Sequence, residues 1–341
     1  LVLYFDRADA SVNAFSQDVL IELNDVLERI SLELPKGLVI ASGKASGFIA
    51  GADLKEFQDF DRKGTVNDAI RRGQLTFQKL AMLRCPTVAA IHGFCMGGGT
   101  EIVLACRYRV ASSDASTRIG LPEVQLGIFP GWGGSARLPH LVGAPAAMDM
   151  MLTGRALSAK AALGIGLVDN VSAPANLIDT AATLALKGRV RPFKQRLLAW
   201  SSNTLAARKL LAPQMIKQVA RKAPKAFYPA PYALIATWQR SAGKPIRVRL
   251  DAERNNGDVT RQLEEAIRAI PEVISCHYIS GTGTFELQVV SRDLNSFSQF
   301  AREVLINLPN VKDLHTSFSL GEVKASCALP LDHISEKGSS Q

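Results

Sequence analysis

Residues 87–101 read TVAAIHGFCMGGGTE, and no other stretch constrains the fold of this chain as tightly. A short buried strand, Thr87–His92, runs through a glycine turn into a helix. Strand, tight turn and helix in that order are the unit of α/β architecture. The run Gly97-Gly98-Gly99 opens the helix, Glu101 falls in its first turn, and Glu123 follows in a loop bounded by glycine and proline. A helix start directs free backbone N–H groups and the positive end of its dipole outward. A glycine run there lets a ligand approach closely, and it is equally compatible with close packing alone.

A second glycine-rich stretch, Phe48-Ile49-Ala50-Gly51-Ala52-Asp53, follows the buried strand Gly37–Ser42 and can bring another N–H to the same place. Two N–H donors converging on one oxygen stabilise an oxyanion. Two carboxylates beside it can divide acid and base roles if their surroundings differ. Glu101, beside a helix N-terminus, is expected to be ionised. Glu123, among Leu121, Val124, Leu126 and Ile128, is expected to hold its proton more tightly. The spacing alone also allows Glu101 to be a dipole partner and Glu123 to face solvent. Asp53 reads as a helix N-cap with Glu56 as its capping-box partner.

Helical periodicity predicts helices at 16–32, 68–83, 100–106, 144–153 and 158–163. Strands are expected at 1–5, 108–111 and 167–171. Residues 187–242 read as basic helices broken at Pro213, Pro224 and the Tyr228-Pro229-Ala230-Pro231 turn. That segment holds twelve basic residues and no acidic one, so it carries the whole formal net charge of +9. A solvated helix face and an anion or partner site both fit such a segment. The chain has no apolar run long enough to span a bilayer, and Leu1–Phe5, followed at once by charged residues, leads to the expectation of no signal peptide. Its five cysteines are odd in number without a C-x-x-C pair, which predicts reduced thiols, a cytoplasmic location and no metal site. The first residue is Leu rather than Met, and the chain is expected to lack its N-terminal segment.

After a linker at 241–245 the pattern becomes strand, helix, strand, strand, helix, strand. That is the βαββαβ order of a ferredoxin-like unit. The expected organisation is an α/β domain over 1–242, with 187–242 as its basic helical extension, and an α+β domain over 243–341.

Four stretches of the first domain together resemble the crotonase (enoyl-CoA hydratase/isomerase) family, and most of all the hydratase portion of multifunctional fatty-acid β-oxidation α-subunits. They are 47–53 (GFIAGAD), 97–101 (GGGTE), 120–127 (GLPEVQLG) and 130–134 (PGWGG). The resemblance implies a crotonase-like ββα superhelix. It implies an oxyanion hole from the N–H groups of Ile49 and Gly98, and Glu101 and Glu123 as the carboxylates that activate water. It places Phe48, Ala50, Gly51, Ala52, Asp53, Gly97, Gly99, Pro122, Pro130 and Gly131 around the substrate. The implied reaction is hydration of a trans-2-enoyl-CoA, with an accessory double-bond isomerase activity. No metal or cofactor is implied beyond the coenzyme A thioester itself, and a thiolase-type enzyme is the implied partner. The dehydrogenase half of those α-subunits is not expected here, because 281–283 (GTG) lacks the third glycine of a dinucleotide fingerprint.

The second domain resembles the effector-binding, oligomerising domain of the Lrp/AsnC regulators through 270–273 (IPEV), 276–281 (CHYISG), 290–294 (VSRDL) and 308–311 (LPNV), and from 316–318 (TSF) through 322–324 (EVK). That resemblance implies a homo-oligomer. With crotonase-like sequence where the DNA reader would stand, nucleic-acid binding is not expected. His277 and His315 read as strand residues rather than ligands. Beside the enzyme reading stands a second one, an acyl-CoA-binding or regulatory assembly protein without turnover.

Overall fold

The computed structural model describes residues 1–8, 10–53, 56, 66–241, 246–253, 257–270, 273–279, 284–289 and 300–317. The chain forms two compact units, Leu1–Gly243 and Lys244–Gln341.

The first unit is built on a parallel five-stranded sheet of β1 (Val2–Phe5), β2 (Leu38–Ser42), β4 (Thr87–Ile91), β6 (Tyr108–Ser112) and β9 (Asn170–Ser172), in that order. Strands β2 and β4 are buried along their whole length, because both faces of the sheet are covered. Val39, Ala41, Val88, Ala90 and Val110 pack on Leu177, Ala181 and Ala185 of helix α7 (Leu177–Lys187). Leu38, Ile40, Ala89, Ile91 and Ala111 point the other way into the main core. There they meet helix α1 (Gln17–Leu32), which buries Leu20, Leu23, Leu27 and Ile30 at helical spacing. Ser16 caps α1 by accepting from the Val19 N–H at 3.3 Å. Glu56 accepts from the Gln17 N–H at 2.8 Å, so its carboxylate serves the start of α1. The positions that would follow Asp53 as a helix N-cap, 54 and 55, lie outside the described residues.

A second, smaller sheet was not expected. It consists of β3 (Gly47–Ile49), β5 (Phe94–Met96), β7 (Arg118–Gly120) and β8 (Ala156–Ser158), three residues each. The first three are parallel, so Ile49, Met96 and Gly120 end on the same edge. Helices α2 (Val66–Ala81), α3 (Gly98–Ala105) and α4 (Gly134–Val142) gather about that edge.

Among the described residues, the remaining helices of this unit are α5 (Ala144–Thr153), α6 (Ala159–Gly164), α8 (Phe193–Ser202), α9 (Leu205–Ala220) and α10 (Pro229–Ser241). The expected break at Pro213 is absent, whereas the helices do part ahead of the Tyr228-Pro229-Ala230-Pro231 stretch, between Ala220 and Pro229. Pro213 lies inside α9, on an exposed face where the carbonyl it leaves unpaired can bind water. Pro229 and Pro231 occupy the first turn of α10, where a missing N–H leaves no bond unmade.

The second unit has a four-stranded antiparallel sheet, ordered β11 (Val273–Ile279), β12 (Thr284–Val289), β10 (Ile246–Ala252), β13 (Val311–Ser317). Read in chain order this is the 4-1-3-2 arrangement of a ferredoxin-like fold. Val248, Leu250, Phe285, Leu287 and Val289 bury one face with Leu263 and Ile267 of helix α11 (Gly257–Arg268). Both histidines lie on strands as expected, His277 opposite Glu286 and His315 opposite Arg249. Of the second helix in the expected βαββαβ order, residues 300–303 are helical and Leu305–Asn307 form a 3-10 turn; 294–299 lie outside the described residues, as do 281–283.

Candidate active site

The site forms where the three parallel strands of the small sheet end. Strand β5 leads through Gly97, at φ 51°, directly into α3. That conformation favours glycine, and a Cβ at Gly97 would also stand 3.4 Å from Glu123 Oε1. Glu101 N–H makes the first helical bond, to Gly97 O at 2.9 Å. The N–H groups of Gly98, Gly99 and Thr100 therefore have no acceptor within the helix. Strand β3 packs against this turn. A Cβ on Gly99 would lie 2.4 Å from Ile49 O, and one on Gly51 would lie 4.0 Å from Gly98 N. The glycines at 51 and 97–99 thus bring two chain segments, Ile49–Gly51 and Gly97–Gly99, into backbone contact. Thr100 ties the edge together by donating its hydroxyl to Cys95 O at 2.8 Å and Gly120 O at 2.7 Å.

Strand β7 delivers Glu123 by way of Pro122, the N-cap of a 3-10 turn over Glu123–Leu126. Both Glu123 carboxylate oxygens are buried, and among the described residues no group donates to either. Burial raises its pKa to about 8, and the charge of Glu101 adds to the rise. Glu101 is 3% exposed. Burial raises its pKa to about 7, against the N–H groups of Gly134 and Trp132 and the charge of Arg137, which pull it down. The sequence expectation of a readily ionised Glu101 is corrected here, because desolvation outweighs the helix dipole. A solvent-facing Glu123 is likewise excluded.

Glu101 Oε1 accepts from the N–H groups of Trp132 and Gly134, both at 2.7 Å. The Pro130–Gly134 loop therefore wraps one carboxylate oxygen. A side chain at Gly134 would crowd this contact, since its Cβ would lie 3.0 Å from Glu101 Oε1 and 3.0 Å from Pro130 Cβ.

The other expected residues take varied positions. The Phe48 side chain is fully buried in the core, away from any surface a substrate could touch. Ala50 is exposed beside it and donates its N–H to Asn13 O at 2.8 Å. Ala52 bridges Phe15, and Asp53 Oδ2 pairs with Arg7 at 3.2 Å. Gly131 gives its carbonyl to Gln74 at 2.6 Å.

Sequence reading missed the groups behind the site. The Trp132 indole is wedged between Gly73 and Gly98, whose added Cβ atoms would lie 2.4 and 2.5 Å from it. It meets Phe15 and Phe77 edge to face at 5.7 and 5.5 Å. Arg137 reaches the Trp132 carbonyl at 2.9 Å. Trp132 lay in plain view within PGWGG, whereas the role of Gly73 depends on a contact between two helices and a loop.

Free helix-start N–H groups beside two carboxylates with raised pKa values can hold a negative oxygen and move a proton near neutral pH. Among the described residues no cluster of His, Cys, Asp and Glu could hold a metal ion, and no helix is long and apolar enough to cross a membrane.

Residues 2–223 match the enoyl-CoA hydratase/isomerase family, and residues 246–329 match the Lrp/AsnC ligand binding domain. The chain is 38% identical over 275 residues to the fatty acid oxidation complex subunit alpha of Shewanella sp. (strain MR-4), an alignment covering 79% of this chain and 39% of that protein. It thus spans about two-fifths of the length of the curated relatives it matches. Among solved structures it is similar to an enoyl-CoA hydratase from Bacillus anthracis, with 33% identity, a TM-score of 0.51, and coverage of 65% of this chain and 86% of that one. Pseudomonas aeruginosa DspI is similar at 32% identity and a TM-score of 0.51, covering 67% of this chain and 86% of its own. The chain therefore belongs to the crotonase, or enoyl-CoA hydratase/isomerase, family and carries a C-terminal Lrp/AsnC ligand-binding domain.

Proposed function

We propose that the first unit hydrates trans-2-enoyl-CoA to 3-hydroxyacyl-CoA as a step of fatty-acid oxidation. The observation that carries this reading is the pair Glu101 and Glu123, buried beside the start of α3, with both Glu123 oxygens left without a protein donor. The N–H groups of Ile49 and Gly98 bind the thioester oxygen, which takes up negative charge as an enolate. Ionised Glu101 takes a proton from water as the oxygen adds to C3. Protonated Glu123 delivers a proton to C2, and its raised pKa suits that task near neutral pH. Removal of the C2 proton of a 3-enoyl-CoA by ionised Glu123, followed by its return to C4 of the dienolate, shifts the double bond and accounts for an accessory isomerase activity. The chemistry uses the coenzyme A thioester as substrate and no further cofactor.

The second unit serves assembly. The sheet face opposite its core carries Arg249, Asp251, Glu286 and His315 in adjacent register, a polar surface suited to pairing with a second copy. A cytoplasmic homo-oligomer working with a thiolase-type enzyme completes this reading.

Purified chain mixed with crotonyl-CoA is expected to remove the enoyl absorbance, and Glu123→Gln is expected to stop it. No turnover by the wild type, with thioester binding intact, would replace the enzyme reading by that of a binding protein. A light-scattering mass equal to one chain would remove the assembly role.

A further inference from the structure

The loop that cradles Glu101 is gripped from outside, peptide by peptide. In a trans peptide the C=O and N–H point in opposite directions. Trp132 N–H donates to Glu101 Oε1, and at the other end of the same peptide Gly131 C=O accepts from Gln74 Nε2 at 2.6 Å. Gly134 N–H also donates to Glu101 Oε1, and its peptide partner Gly133 C=O accepts from the N–H groups of Ala136 at 3.2 Å and Arg137 at 2.8 Å. Between these two peptides, Trp132 C=O accepts from Arg137 Nη1 at 2.9 Å. A flip of either outer peptide would aim a carbonyl at the carboxylate and turn attraction into repulsion.

Arg137 is itself unusual. Its Nη2 reaches Gln78 Oε1 at 3.1 Å, and among the described residues it forms no ion pair. Desolvation lowers its pKa and the charge of Glu101 opposes that shift. A desolvated guanidinium normally takes a carboxylate partner. Here the compensating carboxylate is Glu101, acting through the loop rather than in direct contact. The charged group that acts on Glu101 is Arg137 from α4, and Glu101 in turn raises the pKa of Glu123 in the 3-10 turn, which keeps its proton near neutral pH. Helix α2 contributes the neutral Gln74 and Gln78, and the thiol of Cys106 at the end of α3 is held protonated by burial, its pKa pushed up to about 12.

We propose that Arg137, braced by Gln78 and seconded by Gln74, is a positioning residue that sets the aim and the ionisation of Glu101 through the Pro130–Gly134 loop. The proposal rests on Glu101 being an acid/base group of the hydration reaction. Its physical content, the grip on a carboxylate, can be measured without turnover.

The test is a 13C-carboxyl NMR titration of Glu101, assigned by loss of the signal in Glu101→Gln, on the full chain of wild type, Arg137→Lys and Arg137→Met. The pH profile of kcat/KM for crotonyl-CoA is recorded alongside. Removing the cation makes the carboxylate harder to form. The Arg137→Met midpoint is expected to rise and to carry the acid limb of kcat/KM with it. The rate at pH 7 then falls about fivefold for the first pH increment of one by which the midpoint climbs above about 7, and about tenfold for each one after it. Arg137→Lys, which keeps the charge, is expected to hold the midpoint near wild type. A midpoint that stays in place in folded Arg137→Met, with kcat lowered evenly at all pH values, would overturn the proposal. Should Arg137→Met not fold, Gln74→Leu at its exposed position is expected to lower kcat with KM unchanged, and an unchanged kcat overturns the proposal instead. A midpoint shift in a protein whose wild type does not turn over would sink the hydratase reading and support the grip on Glu101.

Discussion

In the first unit, the buried charges at Arg109–Asp169 and at Glu101–Glu123 are treated in opposite ways. Arg109 and Asp169 are 1% and 3% exposed, as deeply buried as Glu101. Every donor nitrogen of the Arg109 guanidinium is used. Nε donates to Leu167 O, Nη1 to Val103 O and Cys106 O, and Nη2 to Arg107 O and Asp169 Oδ2. Asp169 also accepts from Arg109 N–H at 2.9 Å and from Arg191 at 3.5 Å. At the other site Glu101 has one oxygen held by two N–H groups, and Glu123 has two oxygens held by none. Burial alone does not mark a functional charge. The sign is a buried charge whose hydrogen bonds the fold has left unmade, because a buried polar group without a partner costs about 1–3 kcal/mol that folding by itself gives no reason to spend.

Breaking each site should therefore move stability in opposite directions. The largest effect is expected from Asp169→Ala, which strands Arg109 in the core and should destabilise the first unit by about 3–5 kcal/mol in urea unfolding. A loss below about 1 kcal/mol would mean that the carbonyls around Arg109 suffice. Next is Glu123→Gln, expected to lower kcat for crotonyl-CoA hydration by about 10²–10⁴. The same substitution should raise stability by about 1–3 kcal/mol at pH 8, since a neutral amide replaces a desolvated acid. The sign of the pH dependence follows from the raised pKa. Between its ordinary value of 4.5 and about 8, folded Glu123 keeps a proton that the unfolded chain releases. Stability then falls as pH rises through that window, and Glu123→Gln should flatten the slope. A wild-type stability that rises from pH 5 to 8 by way of this residue would erase the contrast between the two sites.

The two sites also differ in how far a linear reading reaches them. The core elements were legible because their periodicity reports burial directly. The apolar positions of α1 and the all-buried strands β2 and β4 satisfy the only pattern that a covered sheet and helix allow. The strands of the small sheet were not legible, since three residues are too few to show a period. Helix α4 was overlooked because it follows a glycine pair and contains Pro139. The glycine run, Glu101 and Glu123 stood out through residue type and spacing. The pairing of Arg109 with Asp169, sixty positions apart in the chain, left no local mark.

The sequence by itself determined the α/β and ferredoxin-like halves, the pair of glutamates, and the glycines at which backbone can approach backbone. Those properties are local, set by side-chain size, periodicity and charge. Tertiary structure alone decided the ionisation of the glutamates and the groups that hold them. The helix dipole at the start of α3 favours ionised Glu101, yet the surrounding core removes the water that would stabilise its charge. Desolvation is a property of everything packed around a residue, and no window along the chain contains it.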